Sequence, residues 1–220
     1  VTERAVKRNP LANAPLHPID WSTLSAALEW YTSEGFEYVE VPWAVPTNVV
    51  AITLPATRAP YGVIEDGRNF QNALVGSAEQ SFLHVTLRGI LGLGTESTPR
   101  SYVAISPCFR DDAIDQVHQK QFMKVELFEP YHLEASEAFL NDRLRRVIRK
   151  ARDFFLKYIP VENLEVVSTR EGWDIMGNGV ELGSYGIRVC QLPGTTLDVF
   201  TWVYGTGVAE PRLSQVRGMQ

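Results

Sequence analysis

Two arginines carry the chemistry of this chain. Arg110 closes segment 101–112 (SYVAISPCFRDD), which continues into 118–128 (HQKQFMKVELF), and Arg212 lies in segment 203–213 (VYGTGVAEPRL). Both sit in otherwise apolar frameworks, which tolerate a guanidinium only when it has an anionic partner. The first segment reads as a strand, a polar loop and a returning strand. That geometry would set Arg110, His118 and Phe122 around one groove. A planar guanidinium suits phosphate, His118 would add a proton-dependent contact, and Phe122 offers a face for a purine. In the second segment Gly205 and Gly207 allow close approach of backbone to ligand, and Arg212 follows at the start of a helix. Together the segments suggest a clamp for a nucleotide. The bland alternatives are a cross-strand partner of Asp112 or Glu126 at Arg110, a core aromatic at Phe122 and an exposed loop residue at His118.

The elements that must position these groups follow from periodicity and punctuation. Pro10, Pro15 and Pro18 make residues 1–20 an irregular arm. A helix is predicted over 21–33, a strand over 35–42, and short strands and loops over the Pro- and Gly-rich stretch 43–73. Then come a helix over 80–92, strands near 101–109 and 121–132, a long helix over 136–158, strands near 163–168, 179–190 and 196–204, and a last helix after Arg212. Strands in runs, joined as hairpins and punctuated by helices, predict an α+β fold with an antiparallel mixed sheet flanked by helices. Residues 1–220 read as one domain.

Phe-Arg-x-acid at 109–112, a variable loop, His-x-x-x-Phe at 118–122 and Val125-Glu126 resemble the second signature motif of class II aminoacyl-tRNA synthetases. Gly-Thr-Gly-Val-Ala-Glu-Pro-Arg at 205–212 looks like the third motif, with spacing most similar to the seryl branch. Segment 35–42 (GFEYVEVP), behind its helix, has the look of the first, dimer-forming motif. The resemblance implies the catalytic core of that class, with ATP and Mg²⁺ as cofactors. It assigns Arg110 to the α-phosphate, Arg212 to the γ-phosphate, Phe122 to the adenine, His118 to the pyrophosphate end and Asp112 to the adenine amino group. The family usually has Glu where Asp112 stands, one methylene longer.

By the same resemblance, 74–79 (LVGSAE) corresponds to the Thr-x-Glu loop that holds an amino-acid substrate. Glu79 is then the first choice for the substrate ammonium, with Ser77 beside it and Glu126 as a second carboxylate. Helix N-terminal charge at Glu79 and a surface ion pair at Glu126 stay open as alternatives. In 180–186 (VELGSYG), Glu181 would help hold Mg²⁺ against the phosphates, with Ser184 nearby. Strict alternation puts Glu181, Gly183 and Tyr185 on one face and Leu182 and Ser184 on the other, unless a bulge intervenes. Trp173, Trp202 and Tyr185 read as core or as walls of a side-chain pocket.

Composition is compatible with this. A chain of 220 residues, 45% hydrophobic, can bury a substantial core. No apolar run approaches a bilayer span and no signal-peptide pattern opens the chain, so a cytoplasmic setting without membrane contact is expected. Cys108 and Cys190 show no zinc spacing, and Cys108 reads as a core thiol. A net charge of −5 disfavours a broad nucleic-acid surface. The exception is the run Arg143, Arg145, Arg146, Arg149, Lys150 and Arg152 in the long helix, mostly opposite its apolar stripe: a solvated face or an RNA-contact face. The resemblance covers no anticodon-binding domain, so the expectation is a free-standing paralogue or a fragment. Its partners would be ATP, an amino acid, a second copy as homodimer, and tRNA or a carrier protein as acceptor. The rival functions are a catalytically silent regulatory paralogue and an RNA-binding module.

Overall fold

The computed structural model describes residues 18–55, 58–65, 68–112, 114, 118–191 and 198–218. In chain order the elements are α1 (Trp21–Ser33), β1 (Glu37–Tyr38), β2 (Ala44–Pro46), α2 (Thr47–Val50), β3 (Gly62–Glu65), β4 (Arg68–Leu74), α3 (Ala78–Leu87), β5 (Tyr102–Phe109), β6 (Gln121–Tyr131), α4 (Glu137–Phe155), β7 (Leu164–Ser168), β8 (Trp173–Gly177), β9 (Val180–Gln191), β10 (Asp198–Glu210) and α5 (Arg212–Arg217). Most of the expected arm, residues 1–17, lies outside the described residues.

The frame is a seven-stranded sheet in the order β1-β5-β6-β10-β9-β8-β7. Every pairing in it is antiparallel except β1 with β5. A second sheet, β2-β4-β3, flanks it. One face of the large sheet packs against α1 and α4 through Tyr31, Val125, Val147, Phe154, Tyr185 and Val208. The other face meets α2 and α3 through Val50, Phe82, Phe128, Trp202 and Tyr204. Phe82 stacks on Phe128 at 4.8 Å and pins α3 to β6. The pinning matters because α3 carries the candidate substrate carboxylate at its N-terminus.

Local chemistry sets the ends of these elements. Asp20 caps α1 by accepting from the Thr23 N–H at 3.0 Å. Hydrogen bonds from Ser22 and Thr23 hold its carboxyl down at about 2. Ser77 caps α3 and Ser136 caps α4 in the same way. Helix α3 stops at Leu87, earlier than predicted, where Gly89 takes a φ of 69°. β8, which the periodicity does not reveal, turns back into β9 through Asn178 and Gly179, both at positive φ. An Asn-Gly pair of this kind is the sequence signal for such a hairpin.

The basic run on α4 is shorter at the surface than the sequence suggests. Arg143 is buried and gives Glu129 two hydrogen bonds, at 2.7 and 2.8 Å, and the Ser101 hydroxyl a third. Lys150 is buried as well, pairing with Glu34 and donating to its carbonyl. Both residues lie at the flank of the apolar stripe, where a long stem can pack while its head finds a carboxylate. Arg145, Arg146 and Arg149 remain exposed. Among the described residues no helix is long and apolar enough to cross a membrane.

Candidate functional site

The site lies on the α3 face of the sheet, where β5, β6, β9 and β10 end or bend. A pocket there is lined by Arg110, Asp112, His118, Gln119, Phe122 and Arg212, among others. Arg110 also lines a cavity of about 300 Å³ that runs on past Ser77, Glu79, Lys124, Glu126, Ser184, Arg188, Tyr204 and Thr206. The two arginines therefore converge, and Arg110 joins the two spaces.

Backbone placement explains the convergence. Arg110 directly follows β5, and its N–H donates to the Lys120 carbonyl across the hairpin with β6. Its Nε donates to the Gly76 carbonyl at 2.7 Å, and its guanidinium lies 5.3 Å from the Phe122 ring centre. Phe122, Lys124 and Glu126 share one face of β6 by strand alternation. Arg212 opens α5 and pairs with Glu181 at 2.9 Å. Asp112 pairs with Arg58 at 2.7 Å, so its carboxylate is already engaged by a residue the sequence reading passed over.

Glu126 is the hub of the cavity floor. The Ser77 hydroxyl reaches its two oxygens at 2.6 and 2.9 Å, Lys124 pairs with it, and the Glu79 N–H donates to it at 3.2 Å. Burial pushes the Glu126 carboxyl up, but Lys124, Ser77 and Arg110 outweigh it and hold it below the ordinary glutamate range. The open alternative of a surface ion pair is thus corrected: the pair exists, and it is buried. Glu79 is also buried, and it accepts from Arg188 at 2.6 Å and from the Trp202 indole at 2.7 Å. Both its oxygens are engaged. Burial raises its pKa against the pull of Arg188 and Trp202.

One expectation about backbone is corrected. In β9 the register with β8 runs Ile175 to Gly183 and then Met176 to Glu181, which leaves one extra residue at Leu182. This bulge breaks strict alternation. Leu182 and Tyr185 go to the α4 face, whereas Glu181 and Ser184 both line the cavity. Gly205 and Gly207 have a packing role of their own. A Cβ at Gly205 would meet Tyr185 at 2.6 Å and Val147 at 2.9 Å, and one at Gly207 would meet the Tyr31 ring at 2.7 Å. Side chains on the α1 and α4 face therefore exclude a Cβ at either position, a packing requirement the sequence reading did not give them.

Trp202 and Tyr185 are core residues and Trp173 is half-exposed, so none of the three lines the cavity. Its far wall is made instead by Tyr204 and Arg188, the guanidinium lying 4.3 Å from the Tyr204 ring centre. Parity along the strands is the signal for these residues: Arg188 lies four beyond Ser184, and Tyr204 two before Thr206. Cys108 and Cys190 are buried free thiols, the first raised to about 12 by burial and the nearby Glu126.

This sheet, in which Arg110 and Arg212 follow the two strands that flank β6, has the fold of the class II aminoacyl-tRNA synthetase catalytic core. Comparison with solved structures places it beside three relatives in particular. It is similar to seryl-tRNA synthetase from Pyrococcus horikoshii complexed with ATP, with a TM-score of 0.69, 21% identity, and 90% of this chain and 49% of that one covered. It is similar to PylSc, a pyrrolysyl tRNA synthetase of Desulfitobacterium hafniense, at 0.63, 16%, 91% and 67%. It is similar to cytoplasmic serine-tRNA ligase from Naegleria fowleri in complex with AMP, at 0.66, 14%, 89% and 52%. The chain thus spans about half the length of the seryl enzymes. No protein-family profile matches the sequence, and no curated protein does.

Proposed function

We propose that this chain activates an amino acid with ATP, forming an aminoacyl adenylate and pyrophosphate. The observation that carries the reading is the shared pocket of Arg110, Phe122 and Arg212, opening through Arg110 into a polar cavity of about 300 Å³. A carboxylate oxygen of the amino acid attacks the α-phosphorus, a P–O bond forms, and the bond to the bridging oxygen breaks as pyrophosphate leaves. Alignment and charge neutralisation supply most of the acceleration in such a step.

In this reading Phe122 stacks on the adenine, Arg110 holds the α-phosphate and Arg212 the γ-phosphate. His118 stands at the pyrophosphate end, and Asp112 contacts the adenine amino group once it parts from Arg58. Ser77, Glu126 and Ser184 line the amino-acid side of the cavity, and the Glu126 carboxylate, kept ionised, is the partner for the substrate ammonium. Glu126 also has partners, in Ser77 and Lys124, but both of these line the cavity and an incoming ammonium can take the place of Lys124; Glu79 is tied in addition to the core Trp202 indole and moves from direct ligand to support.

Among the described residues no three His, Cys, Asp or Glu side chains gather as a metal cage. A magnesium ion that takes most of its ligands from phosphate and water needs only one or two carboxylates. Glu181, half-exposed at the cavity edge, fits that role beside Ser184, and the bound ion would neutralise phosphate charge. We further propose a homodimer built on α1 and β1, an isologous pairing, and transfer of the aminoacyl group to tRNA, a carrier protein or another amine.

Amino-acid-dependent pyrophosphate exchange, run over all twenty amino acids, tests the activity. Exchange with one or a few of them is expected, with Arg110→Ala and Arg212→Ala each lowering it by about 10²-fold or more while the fold is kept. No exchange with any amino acid would leave a binding paralogue in place of an enzyme.

A further inference from the structure

The far wall of the cavity carries a cation that the nucleotide cannot use. Arg188 is paired to Trp202 across β9 and β10, and Thr206 faces Glu126. Four residues separate the Trp202 and Thr206 rows, about 13 Å along a strand. Arg110 lies beyond Thr206 in the same direction, at the loop end of the β5–β6 hairpin. An amino acid with its α-carboxylate beside Arg110 and its ammonium at Glu126 has Tyr204 and Arg188 ahead of it along the cavity as the wall its side chain can reach.

The Arg188 guanidinium is fixed for recognition at that point. The Tyr204 ring lies under its plane at 4.3 Å, and Nη1 donates to Glu79 at 2.6 Å. The Glu79 charge is matched in turn, by Arg188 on one oxygen and the Trp202 indole on the other. Among the described residues the one carboxylate near Nη2 is distant, Glu171 at 3.8 Å, whose side chain is 80% exposed. A carboxylate from solvent-exposed chain thus already leans toward this edge of the fork. A planar carboxylate suits such an edge. An apolar substrate side chain would leave the donor edge unmatched, and a cationic one would be repelled.

We infer that the activated amino acid ends in a side-chain carboxylate, bound by Arg188, and that Arg188 is the residue that sets this specificity. The inference rests on the reading of the cavity as an amino-acid site. Calorimetric or tryptophan-fluorescence titration separates the two, since it reads binding without chemistry. Aspartate, glutamate, asparagine, glutamine, serine and lysine would be compared on the wild-type chain, Arg188→Gln, Arg188→Lys and Glu171→Ala.

One of the two acids is expected to bind about tenfold or more tighter than its amide, a preference lost in Arg188→Gln and weakened in Arg188→Lys, which keeps charge but not the fork. Glu171→Ala, an exposed change that leaves the fold intact, is expected to widen the acid-to-amide ratio by removing a competing carboxylate. Tight binding of a non-acidic amino acid, with a ratio unmoved in Arg188→Gln and Glu171→Ala, overturns the specificity and leaves the amino-acid site standing. Binding of none of the six, with ATP still bound, overturns the amino-acid site itself and the specificity with it.

Discussion

Glu210 offers a test of the physical reasoning that does not depend on function. Its side chain is fully buried at the end of β10, accepts from the Ser214 hydroxyl at 2.6 Å through one oxygen, and among the described residues has no hydrogen-bond partner for the other. Burial, with the nearby charge of Asp20, raises its pKa from 4.5 to about 7, against the pull of Ser214 and Arg217. A carboxyl whose folded pKa is raised contributes stability that is complete below about 4.5 and is lost as pH climbs through about 7. The shift corresponds to about 3 kcal/mol between those limits, about 1 of it already lost at pH 5. Glu210→Gln removes the titration and keeps the shape. Urea unfolding at pH 5 and pH 8 is expected to show the wild-type chain losing about 2 to 3 kcal/mol more than the variant, roughly 5 to 10 °C in melting temperature. Equal losses in the two proteins would refute the assignment of an uncompensated buried carboxyl at this position.

Other perturbations have equally direct readouts. Arg143→Met strands the buried Glu129 charge and is expected to lower stability by about 3 to 5 kcal/mol in denaturant unfolding. Gly207→Ala drives a methyl into the Tyr31 ring and the Val125 carbonyl at 2.7 and 3.1 Å, with an expected loss of about 1 to 3 kcal/mol by the same measurement. Cys108, buried and raised to about 12, is expected to resist a disulfide reagent at pH 8 in the native protein and to react at once in denaturant.

Much of this architecture is legible in the residues. The strands β5 and β6 and the helices α1 and α4 follow from their sequence pattern, β10 runs on to Glu210, six residues past its predicted end at 204, and the segments around Arg110 and Arg212 declare themselves because charged groups interrupt apolar runs. What escapes is whatever depends on register. The extra residue at Leu182 changes which side chains share a face, and period-two reasoning cannot place it. β8 shows only one buried side chain among apolar and polar neighbours before its Asn-Gly turn, so its pattern is faint. Arg143 and Lys150 look solvated because a one-dimensional stripe does not show that Glu129 and Glu34 wait beside it. Arg188, Tyr204 and Lys124 become visible only when β6, β9 and β10 are set side by side.

Among the described residues, four of the five arginine and lysine side chains around the two spaces already have a counter-charge: Arg212 with Glu181, Arg58 with Asp112, Lys124 with Glu126, Arg188 with Glu79, while Arg110 donates to the Gly76 carbonyl. The interior therefore presents little unbalanced field to an approaching anion, and long-range steering contributes little to association. On the proposed reading, uptake of a polyphosphate would be a swap of partners, in which acidic side chains are released as phosphate oxygens take their places. The liberated carboxylates, Glu181 foremost, are then free to capture a divalent ion, so nucleotide and metal would enter as coupled events rather than in independent steps.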